Sequence, residues 1–393
     1  MARDRNLPKR TALSVALRDY LEAAGFKISE HELSSATDQL DAVRRGERST
    51  GLEIQLLRKG EDSGQRQYAA KRQQVPLGKN LPMAVAANRS QVVSFFEVER
   101  TYPSKEAHEW YQRLVGLDDH KRRLLVELEL LLYPEQLDQW SRKHHGRRIL
   151  QLCELQRNRV PLIILEGDVG TGKTALAETI GDALARRVGS KKHVHLLKVN
   201  TQIRGTGQVG EMSDLIAQAF AQAEARTRSL EGEPVLLLID EADALATTRD
   251  THQMHHEDKA GLNTVLQRLD NLRLVKLPLA VIFITNRPDA LDPAIRRRAA
   301  LRINFERPGA EARAELFRTS VPELELKPNQ IEELVKLTGE GSNEGVPFTA
   351  SDITDRLLPG ALREAYSEDR ELRFEELLHQ AKTLKPTPRM GTT

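Results

Sequence analysis

The stretch Gly167-Asp168-Val169-Gly170-Thr171-Gly172-Lys173-Thr174 constrains this chain more than any other. It fits G-x-x-x-x-G-K-[ST], the phosphate-binding loop known as Walker A. The apolar run Pro161-Leu162-Ile163-Ile164-Leu165 leads into it, and the helix-compatible Thr174-Ala175-Leu176-Ala177-Glu178-Thr179-Ile180 leads out. Strand, loop and helix is the context the motif requires. Its glycines let the backbone curl so that N–H groups converge on an anion, and the following helix adds the positive end of its dipole. Residues Asp168 to Ala175 are the expected phosphate cradle. Lys173 is expected to reach the β- and γ-phosphates, and the Thr174 hydroxyl to ligate Mg²⁺.

A second stretch, Val235-Leu236-Leu237-Leu238-Ile239-Asp240-Glu241, reads as a buried strand with carboxylates at its C-terminal tip, the Walker B pattern. Ligands of parallel sheets sit at that edge. Asp240 suits the metal, directly or through water, and Glu241 suits the task of orienting and polarising the attacking water. Asn286 follows the next apolar strand, Ile282-Phe283-Ile284. An asparagine offers both donor and acceptor, so it can bridge the γ-phosphate and that water. Asn286 and Pro288 equally favour a plain turn.

Arg296-Arg297-Arg298 leaves three readings open: a solvated face, a nucleic-acid patch, or an arginine finger. A finger is worth about 10³–10⁵ in rate because it stabilises charge on the transferring phosphoryl group. The segment has no evident route to the chain's own phosphates, so a finger here would act on a neighbouring subunit of a ring.

From residue 86 onward, short apolar strands alternate with helices, which points to a parallel sheet covered on both faces. Expected strands are Val160–Glu166, His193–Val199, Val235–Asp240, Ala280–Thr285 and Leu301–Phe305, with a further short one at Val92–Phe96. Expected helices include 106–114, 118–132, 172–188, 211–228, 258–273 and 292–299. After Pro308 only helical patterns recur, over 310–320, 329–337, 350–366 and 373–384, and the tail from Lys385 is expected to fray. Three regions follow: a small, mostly helical N-terminal region (1–85) that recruits a partner, a large nucleotide-binding domain (86–308), and a helical lid (309–393). In the first, Thr11–Ala24 and the stretch from Ser29 to Val43 read as helices, Leu52–Leu56 as a strand, and Gly60–Gln74 as polar and mobile.

Lys+Arg 59 against Asp+Glu 57 leaves a formal charge of +2, so the chain as a whole is not a polyanion binder by charge. Aromatics at 4% offer no stacking platform for bases. A single cysteine, Cys153, excludes an intramolecular disulfide. No apolar run approaches bilayer-spanning length, and Met1 to Arg5 is not followed by an apolar signal core. A cytoplasmic location without membrane contact is the expectation.

The segment Thr285-Asn286-Arg287-Pro288, continued by Leu291-Asp292-Pro293-Ala294-Ile295 and by Arg297-Arg298, resembles the second region of homology of AAA+ ATPases of the substrate-remodelling type. It is similar to the severing ATPases spastin and katanin and to the ATPases that remodel HORMA-domain proteins. The resemblance covers roughly residues 110–388. It implies an α/β P-loop AAA+ fold, a three-layer parallel-sheet domain with a C-terminal helical lid, assembled as a homohexameric ring with ATP and Mg²⁺ at subunit interfaces. It implies adenine contact at Val115 and Gly116 in Leu114-Val115-Gly116-Leu117-Asp118. It puts Arg298 first and Arg297 second as the finger, and sets Ser351 where some relatives carry an arginine sensor. Gly205 to Gly210 takes the place of the pore loop, with Gln208 where many relatives have an aromatic or bulky apolar residue. The function implied is ATP-driven remodelling or disassembly of a protein partner, with HORMA-type proteins as one candidate class. The alternative is a nucleic-acid-associated ATPase, a loader or a regulator of transposition or replication, for which Lys143–Arg148 and the basic N-terminus speak.

Overall fold

The computed structural model describes residues 26–27, 52–58, 70–75, 96–189, 193–199, 211–244 and 256–389. The chain divides into two units, Met1–Val93 and Ser94–Thr393.

In the first unit, strands β1 (Phe26–Lys27), β2 (Leu52–Arg58) and β3 (Ala70–Val75) form an antiparallel sheet in that order. Leu52 pairs with Val75 and Leu57 with Ala70. The strand expected at Leu52–Leu56 is present, but β3 lies where the sequence reads as mobile. Ala70-Lys71-Arg72-Gln73-Gln74-Val75 has no apolar alternation, and a ladder is made by the backbone, which that signal does not report. The helices read over 11–24 and 29–43 fall outside the described residues.

The second unit is built on a six-stranded sheet in the order β4-β6-β7-β8-β5-β9. Its strands are β4 (Phe96–Tyr102), β5 (Leu162–Gly167), β6 (Val194–Val199), β7 (Val235–Ile239), β8 (Leu279–Thr285) and β9 (Leu301–Phe305). β5 to β9 run parallel, and β4 pairs antiparallel with β6 at one edge. The central strands are continuously apolar because both faces are covered. Leu162 and Ile164 of β5 point into one core and Ile163 and Leu165 into the other, and β7 and β8 divide in the same way. Helices α6 (Glu211–Ser229) and α7 (His256–Val275) cover the first face; α2 (Asp118–Leu132) and α5 (Lys173–Val188) cover the second. These are the three layers expected.

The edge strand β4 begins where the sequence expects a strand to end. Its alternation is weak because Glu97, Glu99 and Arg100 face solvent on an exposed edge. Its last residue, Tyr102, is fully buried and lies over Gly181 of α5, where an added Cβ would stand 2.5 Å from the ring. Helix α1 (Lys105–Arg113) follows. Two further helices, α3 (Pro134–His145) and α4 (Leu150–Arg157), follow α2, and the basic run Lys143–Arg148 spans the end of α3 and the turn into α4. Part of that basic run is internally paired: Arg148 meets Asp138 at 2.8 Å and Glu154 at 2.6 Å.

The short helix α8 (Pro293–Arg298) joins β8 to β9. Beyond Pro308, α9 (Ala310–Ser320), α10 (Pro328–Leu337), α11 (Leu358–Ser367) and α12 (Phe374–Thr383) enclose a core of their own around Phe317, Leu334, Phe348 and Leu377. The helix expected over 350–366 is not uniform: Asp352–Leu357 is a π-helical turn before α11. Pro359 lacks an N–H and cannot continue the α ladder. The tail is held where fraying was expected: the buried Asp352 carboxylate accepts from Thr387 N (3.0 Å) and Thr387 Oγ1 (2.7 Å). Among the described residues, no helix is long and apolar enough to cross a membrane.

Candidate active site

Strand order decides which side chains meet. β5 lies between β8 and β9, and β7 lies beyond β8, so the tips of these four strands share one edge. Glu166 is in register with Thr285, Gly167 with Phe305, and Ile239 with Phe283. The loop after β5 therefore starts beside Asn286, with Asp240 one strand further.

The loop itself requires glycine. Gly167, Gly170 and Gly172 have φ of 132°, 71° and 94°, in the region that side chains disfavour. At Gly167 an added Cβ would also stand 2.1 Å from Phe305 O. Lys173 opens α5 and is 4% exposed. Its Nζ donates to Gly167 O at 3.0 Å, to Asp168 O, and to Thr171 Oγ1 at 3.4 Å, all uncharged acceptors. Burial lowers its pKa to about 8, against the opposing pull of Asp168 and Asp240. A buried ammonium held only by neutral oxygens is a site built for an anion.

Thr174 Oγ1 donates to Asp240 Oδ2 at 3.0 Å. Hydroxyl and carboxylate oxygens side by side are the donor set a hard divalent cation takes, so Mg²⁺ fits there. The other Asp240 oxygen, Oδ1, accepts from Glu241 N at 2.9 Å. Glu241 has φ 50°, a left-handed conformation costly for a residue with a Cβ. Such strain gathers at functional sites, and Glu241 is exposed. Thr285 Oγ1 donates to Asp243 Oδ1 at 2.7 Å and accepts from Arg287 N at 2.9 Å, which locks the tips of β7 and β8 together. Asn286, Gly167 and Asp168 line one cleft of about 910 Å³.

The lid closes over the loop. Ser351 N donates to Gly170 O at 3.1 Å. Val115, Gly116, Thr171 and Ala350 line a pocket of about 170 Å³, and Val115 packs on the lid core. Gly116 approaches α9 so closely that a Cβ would stand 2.6 Å from Ala312 Cβ. Val169 N is taken by Asp168 Oδ1 at 3.0 Å, and Ala175 is exposed on the first turn of α5.

Arg297 and Arg298 lie elsewhere. They end α8 just before β9, whose first residue, Leu301, is in register with Ile163 near the start of β5. The phosphate loop lies at the other end of that strand. Arg297 is exposed; Arg298 grips Asp270 of α7 with Nε at 3.0 Å and Nη2 at 2.9 Å. Gly205 to Gly210, with Gln208, falls outside the described residues.

Residues 163–307 match the family described as "ATPase family associated with various cellular activities (AAA)". The chain is 43% identical over 299 residues to "CD-NTase-associated protein 6" of Escherichia coli (strain MS 115-1), covering 75% of this chain and 95% of that protein. The chain belongs to the AAA ATPase family, and its activity is ATP hydrolysis. Two solved structures resemble it beyond the shared fold. One is "Structure of E. coli MS115-1 HORMA:CdnC:Trip13 complex", with TM-score 0.70 and 42% identity over 75% of this chain and 96% of that one. The other is "Structure of Rhizobiales Trip13", with TM-score 0.59 and 39% identity over 75% and 99%.

Asp243 and Arg307 belong to the site's framework without having been read as such, and Thr285 was read only as part of a motif. Nothing in the sequence named the partner of any of the three.

Proposed function

We propose that this chain is an ATP-driven motor that remodels or takes apart a protein partner of HORMA type. The observation that carries this is the lid seated on the phosphate loop through Ser351 N and Gly170 O, in a chain whose relative is solved with a HORMA protein. A loop joined to a second body converts what happens at the phosphates into motion of that body.

In this reading Lys173 turns from the carbonyls of Gly167 and Asp168 to the β- and γ-phosphates, whose charge restores its full protonation. The remaining loop residues, Asp168 to Gly172, with Thr174 and Ala175, surround the phosphates. Val115 and Gly116 flank the base, and Ser351 closes the lid side. Thr174 and Asp240 would hold Mg²⁺, which supplies charge neutralisation at the phosphate oxygens. Glu241 aligns the attacking water and accepts its proton, and Asn286 fixes the water against the γ-phosphate.

Arg298 and Arg297, at the far end of the sheet from the loop, serve a neighbouring copy in a homohexameric ring. Arg298 must then leave Asp270 to reach the neighbour's phosphates. The N-terminal unit recruits the partner, and the protein works in the cytoplasm. The test is ATP turnover by the full chain with and without a purified HORMA protein. Stimulation by the protein alone supports the reading. Stimulation only by nucleic acid, falling steeply with salt, overturns it in favour of a nucleic-acid ATPase.

A further inference from the structure

Arg307 lies between the end of β9 and the start of the lid, and its side chain is only 6% exposed. It faces in two directions. Nε meets Asp168 Oδ2 at 2.6 Å, inside the phosphate loop. Nη1 donates to Pro347 O at 2.6 Å, four residues before Ser351. Nη2 is buried and has no partner among the described residues. The next residue is fixed separately, since Arg313 Nη1 of α9 donates to Pro308 O at 2.6 Å.

Asp168 is the other half of the device. Its backbone oxygen accepts from Lys173 Nζ and from Thr171 Oγ1 (2.8 Å). Its carboxylate holds Val169 N with one oxygen and Arg307 with the other. The loop is thus tied to the lid twice, at Asp168 through Arg307 to Pro347, and at Gly170 O through Ser351 N. The two ties bracket the turn that glycine makes deformable.

We propose that Arg307 is the positioning residue that couples phosphate occupancy of the loop to the setting of the lid. The proposal rests on the reading that the loop holds nucleotide through Lys173. When Lys173 turns to phosphate, the Gly167 and Asp168 carbonyls lose the Lys173 donor, and Asp168 O keeps Thr171 Oγ1 alone. The Asp168 segment, then held through its N–H on Phe305 O at 3.3 Å and by Thr171, is less restrained, and as it shifts its carboxylate carries Arg307, and Pro347 with it. The unpaired Nη2 gives Arg307 a donor in reserve for the shifted arrangement. Arg307 touches neither substrate nor metal in this scheme.

The test uses the full chain. ADP affinity is measured by fluorescence of a labelled nucleotide, and hydrogen exchange is followed at the amides of Phe348 to Leu357 with and without ADP. In the parent, ADP changes exchange there by about fivefold or more, the usual scale of coupling between sites. Arg307→Ala is expected to bind ADP within about threefold of the parent yet to lose most of that change. Its kcat falls while KM stays near the parent's. Arg307→Lys keeps a charge for Asp168 but cannot hold both partners in one plane, and its response is intermediate. Asp168→Asn keeps the shape and removes the carboxylate, and its lid response is lost as well. A parent-sized lid response in Arg307→Ala overturns the proposal. If that variant does not fold, a parent-sized response in Asp168→Asn does so. A parent that binds no ADP instead defeats the nucleotide-site reading, and the affinity measurement reports that before any exchange is compared.

Discussion

Thr174 Oγ1 lies 3.0 Å from Asp240 Oδ2, joining the first turn of α5 to the tip of β7. One residue beyond Asp240 the backbone enters the left-handed region at Glu241. The metal-fitting pair and the proposed base are thereby set in fixed relation. Glu241→Gln leaves the Asp240 contact intact and removes only the proton acceptor. ATP should still bind, and hydrolysis should fall by about 10²–10⁴-fold. Single-turnover kinetics alongside nucleotide affinity check this; a variant that hydrolyses ATP like the parent removes Glu241 from the role.

If Lys173 holds the phosphates, nucleotide affinity is expected to depend on pH. In the unfolded chain a lysine titrates near 10.4, and burial lowers Lys173 to about 8 in the fold. Between these values the unfolded chain holds a proton that the nucleotide-free fold does not, so stability rises with pH across that window. Phosphate favours the charged form, so affinity is near full at pH 7, falls through pH 8 and declines further above it. ADP should bind about tenfold more weakly at pH 9 than at pH 7, following the fraction of charged lysine. Lys173→Arg, charged throughout, should show no such decline, whatever its absolute affinity. Titration calorimetry at the two pH values decides; a flat parent profile contradicts the burial argument.

Arg298→Ala should lower turnover by about 10³-fold or more if Arg298 is a finger, with ADP affinity unchanged. Mixing Arg298→Ala with Lys173→Ala subunits should restore part of the activity, because some interfaces then pair an intact loop with an intact arginine. No recovery in mixed assemblies would place Arg298 in a purely internal role with Asp270.

Gly181→Ala should destabilise the second unit by about 1–3 kcal/mol, the usual cost of overpacking, because its Cβ falls 2.5 Å from the Tyr102 ring. Thermal unfolding checks this, with ADP affinity as the control that the loop is intact.

Legibility in the sequence followed burial. β7 and β8 were readable because both faces are covered and every residue but the terminal Thr285 is apolar. The loop was readable because its glycines and lysine are fixed by local geometry. β3 and β4 were misread or shifted because ladders along polar strands leave no period in the side chains. The framework contacts were beyond reach for another reason. Arg307 and Asp168 are 139 positions apart, Thr285 and Asp243 42, and Arg298 and Asp270 28. A carboxylate and a guanidinium that distant carry no mark of each other until the sheet order brings them together. The family resemblance supplied Val115, Gly116 and Ser351, which sit where loop and lid meet; no local pattern would have done so.

The most direct test of the central claim is the release of a purified HORMA protein from a complex with its binding partner, followed over time with the full chain and ATP. Release should require ATP, should not occur with ADP, and should be abolished in Glu241→Gln. Release at the same rate without hydrolysis, or none while the chain turns over ATP, would contradict it.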